Sequence, residues 1–235
     1  MDIVKSSLQA VRQRIARAAD LAGRAAEEVT LLAVSKTYPA AAVRALAEQG
    51  HHDFGESYLQ EAADKIRALA DIDACWHFIG PIQRNKTSPI AAGFDWVHSV
   101  DRVIIAERLS AARPQERPAL NICLQVNISG ESGKSGVAFD AVSDLAGQIR
   151  DLPGLRLRGL MGIAQAGNDV AQQRIQFAQL RHCLEDLNRQ GIALDTLSMG
   201  MTNDLEAAIA EGATIVRVGT ALFGSRIKRA AGVDR

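Results

Sequence analysis

The chain has 235 residues, a length at which an α/β barrel folds as one unit. Its 27 basic and 27 acidic residues balance, so no net charge attracts nucleic acid or an anionic membrane surface. Charges recur from the start of the chain, and no apolar run is long enough to cross a bilayer. These properties argue against a secreted or membrane protein and predict a cytoplasmic protein with a small-molecule partner.

The first predicted element is an amphipathic helix over residues 2 to 22, with arginines on the face opposite its apolar residues. Its apolar face is formed by Val4, Leu8, Val11, Ile15 and Ala18. Eight short runs of β-type composition follow, separated by helical stretches such as "PAAAVRALAEQG" and "DVAQQRIQFAQLRHCLEDLNRQG". In chain order the eight runs are "VTLLAVS", "HHDFGE", "CWHFIG", "FDWVHSV", "ALNICLQVNI", "LRLRGLM", "LDTLSMG" and "TIVRVGT".

Eight strand-helix alternations without a Pro-, Gly- or Ser-rich linker predict one domain over residues 1 to 235. The predicted fold is a single (β/α)8 TIM-type barrel with an extra N-terminal helix. An open doubly wound sheet is the alternative. It is less favoured because no G-x-G-x-x-G follows the first strand and because eight units close a barrel. In such a barrel the functional groups lie at the carboxyl ends of the strands.

Cysteines and histidines give no pattern typical of a metal site. The three cysteines are widely spaced in apolar surroundings and are predicted to be reduced core thiols. His51 and His52 are adjacent, so in a strand they point to opposite faces. His77 and His98 end separate strands, and no carboxylate lies at ligand spacing beside them. We therefore predict that the protein binds no metal.

Lys36 follows the first predicted strand, directly before a Tyr-Pro turn in "LLAVSKTYP". A partly desolvated ammonium group has a lowered pKa, because burial disfavours the charged form. Such an amine is nucleophilic and forms Schiff bases with carbonyl compounds. For a single lysine, an ordinary solvated residue at a strand end is the alternative, so the surrounding residues have to decide.

Ser198, Gly219 and Thr220 follow the seventh and eighth predicted strands, where barrels of this class commonly bind a phosphate group. Gly219 permits close backbone approach, and the short helix that follows presents backbone N–H groups. The two hydroxyl side chains add donors. The spacing predicts an anion site opposite Lys36.

Arg217 shares the parity of Ile215 and Gly219 in the last strand, so its side chain is predicted to point into the barrel. A buried arginine needs an acceptor, and a ligand that carries a ring nitrogen and a phosphate supplies one. Together with the Schiff-base lysine, this predicts pyridoxal 5′-phosphate (PLP). An arginine is always charged, so it keeps the pyridine nitrogen unprotonated and weakens the ring as an electron sink.

Several stretches together resemble the pyridoxal phosphate homeostasis proteins, which are barrels similar to the N-terminal domain of alanine racemase. They cover nearly the whole chain in order. The stretches are "LLAVSKTYP", "FGESYLQE", "WHFIGPIQRNK", "FDWVHSVDR", "LQVNISGESGKSGV", "LRGLMGI" and "LSMGMTNDLEAAIAEGATIVRVGTALFG".

The resemblance implies that Lys36 carries PLP as a Schiff base, that Ser198, Gly219 and Thr220 hold the phosphate, and that Arg217 faces the ring nitrogen. It also implies no known turnover, and a role in storing PLP, delivering it to PLP-dependent apoenzymes and balancing the B6 vitamers. We expect a monomer that binds neither nucleic acid nor membrane. The chain resembles fold type III PLP proteins without their C-terminal β-domain, since it ends soon after the eighth strand.

Two enzyme hypotheses remain beside the binding protein. One is a PLP-dependent amino-acid racemase or related enzyme with Lys36 as base, and the other is a cofactor-free aldolase that uses the same lysine. Two-base racemization needs a second acid/base group, which in racemases comes from the β-rich domain. Tyr38 stands where the family often has a basic or polar residue, and Ser57 stands where it usually has asparagine. Glu56 and Glu61 are predicted to be helix-start and surface charges.

Overall fold

The computed structural model describes residues 2–131, 133–165, 167 and 169–224, with the side chains of residues 2 and 3 excepted. Residues 225–235, which the one-domain prediction includes and which follow the eighth strand, lie outside this part of the chain. The described residues form eight strands: β1 Thr30–Val34, β2 Asp53–Glu56, β3 Cys75–Phe78, β4 Trp96–Val100, β5 Leu120–Val126, β6 Leu155–Gly162, β7 Thr196–Met201 and β8 Ile215–Val218.

All eight strands lie within or beside the runs predicted from the sequence, and they form one closed parallel barrel in the order β1 to β8. β1 pairs with both β2 and β8, which closes the ring. The predicted α/β barrel is therefore confirmed, and the open doubly wound sheet is wrong. The registers shift within β4–β5, β5–β6 and β7–β8.

The helices surround this barrel, as the alternation of elements predicts. Two of them, residues 87–93 and 103–112, lie in intervals for which no individual helix was predicted. The helices are α1 Asp2–Leu21, α2 Ala40–Ala47, α3 Leu59–Ala68, α4 Thr87–Gly93, α5 Val103–Ala112, α6 Val142–Ile149, α7 Val170–Arg189, α8 Leu205–Ala210 and α9 Thr220–Phe223.

The extra N-terminal helix α1 packs on the outside of the barrel with the predicted apolar face. Leu8, Val11, Ile15 and Ala18 are buried. α1 contacts α2, α8 and α9, and the Arg14 guanidinium donates to the Glu206 carboxylate on α8. No helix in the described ranges is both long enough and apolar enough to cross a membrane.

Side chains alternate between the outer core and the barrel interior. Leu32 of β1 is in register with Arg217 of β8, so both point to the same side of the sheet. That side is the interior, because Arg217 reaches the Gly162 carbonyl of β6, which is not a neighbouring strand. The opposite faces of the strands pack against the helices and form the main hydrophobic core.

Candidate functional site

The carboxyl edge of the barrel brings the loop after β1 beside the loop after β8. Lys36 lies two residues beyond β1 and is half-buried. Gly219 follows β8 directly, and its backbone packs closely on β1: a Cβ atom there would lie 3.1 Å from the Val34 carbonyl oxygen. The structure therefore places Lys36 and Gly219 on neighbouring segments, as the sequence predicts.

Both peptide groups that flank Lys36 form hydrogen bonds with charged side chains. The Lys65 ammonium donates to the Ser35 carbonyl at 2.7 Å, and the Thr37 N–H donates to the Glu61 carboxylate at 2.6 Å. Thr37 adopts a φ of 71°, a left-handed conformation that is rare for a β-branched residue. These contacts hold the turn that contains Lys36, in which Thr37 has a backbone conformation that it would not adopt by local preference.

Glu56, Glu61 and Lys65 form an ion cluster behind this turn. The Lys65 ammonium lies 2.7 Å from Glu56 and 2.6 Å from Glu61, and the Ser35 hydroxyl donates to Glu56 at 2.6 Å. Glu56 is fully buried, so its prediction as a helix-start or surface charge is wrong; Glu61 is partly exposed but belongs to the same cluster. The sequence does not reveal the burial of Glu56, because its partner Lys65 lies on α3, and only the packing of α3 on β2 brings the two together.

The second carboxylate oxygen of Glu56, Oε2, is buried and has no hydrogen-bond partner among the described residues. Burial raises the pKa of this carboxyl, and the Lys65 ammonium offsets only part of that effect. The cluster therefore pairs its charges but does not fully satisfy them.

Thr220 begins α9 and is exposed at the carboxyl edge, and Gly219 precedes it. The first N–H groups of any helix have no acceptor within the helix. Backbone N–H groups and the Thr220 hydroxyl thus present donors beside the Lys36 loop. Tyr38 joins the two loops: its ring stacks on Phe223 with centroids 4.8 Å apart, and its hydroxyl donates to the Gly224 carbonyl at 2.6 Å.

Ser198 and Arg217 lie deeper, inside the barrel. Ser198 is fully buried in β7, and its hydroxyl oxygen accepts from the Arg217 guanidinium at 2.8 Å. The guanidinium also donates to the carbonyls of Ser198 and Gly162. Burial lowers the pKa of Arg217 to about 10, so the group remains charged at neutral pH. The structure brings Ser198 to Arg217 rather than to Thr220.

Two histidines continue this polar arrangement across the barrel. His98 Nδ1 lies 2.8 Å from the Ser198 hydroxyl, and His98 Nε2 lies 2.9 Å from His77 Nδ1. His77 Nε2 in turn lies 3.1 Å from a carboxylate oxygen of Asp53. The expectation that no carboxylate accompanies these histidines is therefore wrong. Asp53 is on the neighbouring strand β2, and only the β2–β3 pairing reveals it.

Asp53, Cys75 and His77 also offer three possible metal-ligand atoms within 4.8 Å of one another. Burial raises the pKa of the Cys75 thiol to about 12, an effect that the charges of Asp53 and Asp95 strengthen. Without a metal the thiol is thus protonated at neutral pH, and a metal ion would have to displace this proton, because metals bind the thiolate. The His77 ring stacks on Trp96, with centroids 5.5 Å apart and an angle of 6° between the planes.

Comparison with known proteins agrees with this architecture. The alanine racemase N-terminal domain family matches residues 6–227. The chain is 58% identical to the pyridoxal phosphate homeostasis protein of Pseudomonas aeruginosa, over 96% of this chain and 97% of the relative. It is 45% identical to the protein of the same name from Escherichia coli K12, over 96% and 98% of the two chains.

A solved structure of PipY from Synechococcus elongatus with PLP bound is also similar. It superposes with a TM-score of 0.79 at 39% identity, and the match covers 89% of this chain and all of PipY. These similarities extend through the barrel and both loops of the carboxyl edge. The chain therefore belongs to the pyridoxal phosphate homeostasis protein family.

Proposed function

We propose that this protein binds PLP covalently on Lys36 and serves to store the cofactor and deliver it, without robust turnover of its own. The observation that carries the proposal is the position of Lys36, on a backbone held at both flanking peptide groups and beside the Gly219–Thr220 loop. A primary amine condenses with the aldehyde of PLP to an imine and releases water. The bound structure of PipY supports this choice of ligand.

Each end of the ligand has a suitable group. In our proposal, the phosphate accepts hydrogen bonds from the backbone of Gly219 and Thr220 and from the Thr220 hydroxyl, because a helix start favours an anion. Arg217 faces the ring nitrogen, and Ser198 acts through Arg217. The resemblance implies a direct contact between Ser198 and the phosphate. We propose the indirect role instead, because the Ser198 hydroxyl oxygen is within hydrogen-bond distance of His98 and Arg217.

The charge of Arg217 argues for binding rather than catalysis. When bound, PLP supplies an electron sink for carbanions, and that sink is strongest when the ring nitrogen is protonated. A permanently charged guanidinium beside the nitrogen opposes its protonation, because like charges repel at short range in a buried site. The relatives from P. aeruginosa and E. coli are accordingly named as homeostasis proteins and not as enzymes.

The wider role follows from the same proposal. A single PLP-binding domain over residues 1 to 235, acting as a cytoplasmic monomer, holds PLP or another aldehyde B6 vitamer and passes it to PLP-dependent apoenzymes. Transfer requires reversible attachment, and hydrolysis of an imine by water provides it.

The test is the mass of the peptide that contains Lys36 after the PLP-loaded protein is reduced with borohydride. We expect the mass of a reduced pyridoxyl phosphate adduct on Lys36, and no adduct in Lys36→Ala. Lys5→Ala is the matched control, because Lys5 is exposed on α1, outside the barrel. An adduct on another lysine, or none, overturns the attachment. Formation of D-amino acids from L-amino acids at enzyme-like rates, lost in Lys36→Ala, overturns the storage role in favour of a racemase.

A further inference from the structure

A continuous line of hydrogen-bonded side chains crosses the barrel interior from the carboxyl side to the amino-terminal edge. It runs through Arg217, Ser198, His98, His77 and Asp53, with successive donor–acceptor distances of 2.8, 2.8, 2.9 and 3.1 Å. We call these five residues the relay. His98 is fully buried and His77 is 1% exposed. Water therefore has little access to these two rings in the middle of the line.

The chemistry of the two ends fixes which atom donates in each bond. A guanidinium only donates, so the Ser198 oxygen accepts from Arg217. Burial alone would raise the pKa of Asp53, but the hydrogen bond with His77 lowers it overall. Asp53 is thus a carboxylate at neutral pH and only accepts, so the 3.1 Å contact requires His77 to donate from Nε2.

The histidines between the ends then have one consistent arrangement when both rings are neutral. His77 has its single proton on Nε2, so its Nδ1 accepts from His98 Nε2–H. His98 then has no proton on Nδ1 and accepts from the Ser198 hydroxyl. Every donor points the same way, from Arg217 to Asp53. Hydrogen bonds aligned in this manner polarise one another in a low-dielectric interior.

We propose that His98 and His77 are positioning residues for the ring-nitrogen site, and that they act by orienting Ser198 so that its oxygen lone pairs face Arg217. This inference rests on the proposed function, since it assumes that the ring nitrogen meets Arg217. A guanidinium has five N–H bonds. Three are directed at the Ser198 hydroxyl and the carbonyls of Ser198 and Gly162, within the described part of the chain. In our proposal, the two N–H bonds without an acceptor among the described residues serve the ligand.

Orientation matters because a hydroxyl rotates. Without an acceptor on its far side, the Ser198 O–H turns toward any acceptor nearby, including its neighbours' carbonyl groups. Its lone pairs then no longer face Arg217, and the guanidinium loses one of three anchors. His98 Nδ1 supplies the acceptor that holds the hydroxyl, and the His77–Asp53 pair fixes His98 in the tautomer with Nδ1 unprotonated.

The first experiment tests the arrangement without any ligand. Nitrogen-15 NMR of the histidine side chains in the ligand-free protein at about pH 8, above the ordinary pKa of histidine, reports which ring nitrogen carries the proton. We expect the Nε2–H tautomer for both His77 and His98. An Nδ1–H tautomer at either ring overturns the relay.

The second experiment tests its consequence for the cofactor. His98→Leu removes both contacts of the ring, whereas His98→Asn keeps an acceptor near the Nδ1 position. We expect His98→Leu to shift the absorption maximum of bound PLP and to accelerate PLP release roughly five- to tenfold, the effect of losing one hydrogen bond between neutral groups, here that of His98 to Ser198. In His98→Asn, the absorption maximum and the rate of PLP release should both return much of the way to those of the unmodified protein.

His51→Asn is the matched control. His51 is also buried, and its Nε2 donates a hydrogen bond to the Asp53 carbonyl, but its side chain is not part of the relay. If His98→Leu and His51→Asn have the same spectrum and release rate, the positioning role is overturned. Borohydride reduction of each variant reports the Lys36 adduct separately, so loss of attachment is distinguished from failure of the relay.

Discussion

The two halves of the site are supported by different physical means. On the outer side of the barrel wall, the ion cluster of Glu56, Glu61 and Lys65 holds main-chain atoms on both sides of Lys36. Inside the barrel, the relay holds a side chain, Arg217, through hydrogen bonds between mostly neutral groups. The proposed attachment point, Lys36, is thus fixed through its backbone, and the proposed partner of the ring nitrogen, Arg217, is fixed through oriented donors.

This difference predicts how much stability is lost when one side chain is removed from each half of the site. Removing one member of a buried ion pair leaves a charge without compensation, which costs about 3–5 kcal/mol. Removing one member of a neutral hydrogen-bond chain leaves unsatisfied dipoles, which cost about 1–3 kcal/mol. The ion cluster should therefore govern stability, and the relay should govern the geometry of the ligand.

The largest effect is expected for Lys65→Met, which keeps the length of the side chain and removes its charge. The buried Glu56 carboxylate then lacks its cation, and we expect the free energy of unfolding to fall by about 3–5 kcal/mol. Urea denaturation measures it, with Lys5→Met on the exposed face of α1 as control. Adding Glu56→Gln should recover part of the loss. Equal stabilities of Lys65→Met and the control would contradict the importance of the cluster.

Ser198→Ala should have a smaller effect on stability and a clear effect on the cofactor. It leaves the Arg217 N–H and His98 Nδ1 without their shared partner, which costs about 1–3 kcal/mol. We expect a shifted absorption maximum of bound PLP while the Lys36 adduct still forms. An unchanged spectrum would show that Arg217 does not depend on Ser198.

The two regions should also respond to pH with opposite signs. Burial lowers the pKa of His98 well below 6.5, and the nearby charge of Arg217 lowers it further. The unfolded chain therefore binds a proton more readily than the folded one. Stability should fall as pH decreases below 6.5, by at most about 1.4 kcal/mol per pH unit for this group.

Glu56 should make the free energy of unfolding change with pH in the opposite direction to His98. Burial raises its pKa above 4.5, so the folded state binds the proton more readily. Its contribution to stability is complete below 4.5 and is lost as pH rises through the folded pKa. Urea unfolding across this range, repeated with His98→Gln and Glu56→Gln, separates the two slopes. If neither variant changes the slope, the origin of both effects is assigned incorrectly.

The smallest effect is expected for Thr220→Val, which removes one hydroxyl and keeps the shape of the side chain. Loss of one hydrogen bond to the phosphate, about 1 kcal/mol, should accelerate PLP release roughly fivefold with no change in the spectrum. Thr30→Val, at the amino-terminal end of β1, is the control. A spectrum changed by Thr220→Val would show that the edge of the site and the relay are not independent.

The sequence was sufficient for the barrel because each strand carries its own pattern. "VTLLAVS" and "TIVRVGT" are short apolar runs that end in polar residues, and β1 and β8 form there. The site required more. The contact between His98 and Ser198 joins residues 100 positions apart on strands that are not neighbours, so it depends on closure of the barrel. Local composition does not encode that contact.

The ion cluster was missed for a related reason. Glu56 ends a strand and looks like a surface charge until α3 is packed on β2 and brings Lys65 to it. Lys65 itself is four residues from Glu61, a spacing that predicts an ordinary exposed helix pair. Because Glu56 is buried, Lys65 is drawn in toward the barrel wall, where it also binds the Ser35 carbonyl beside Lys36.

The stacking of Trp96 on His77 gives the barrel an internal optical reporter. Indole emission responds to the side chains that contact the ring, so the fluorescence of Trp96 should change when the position of His77 changes. The other tryptophan, Trp76, lies against Phe54. In a Trp76→Phe background, the emission of a single residue would report on the relay without any added label.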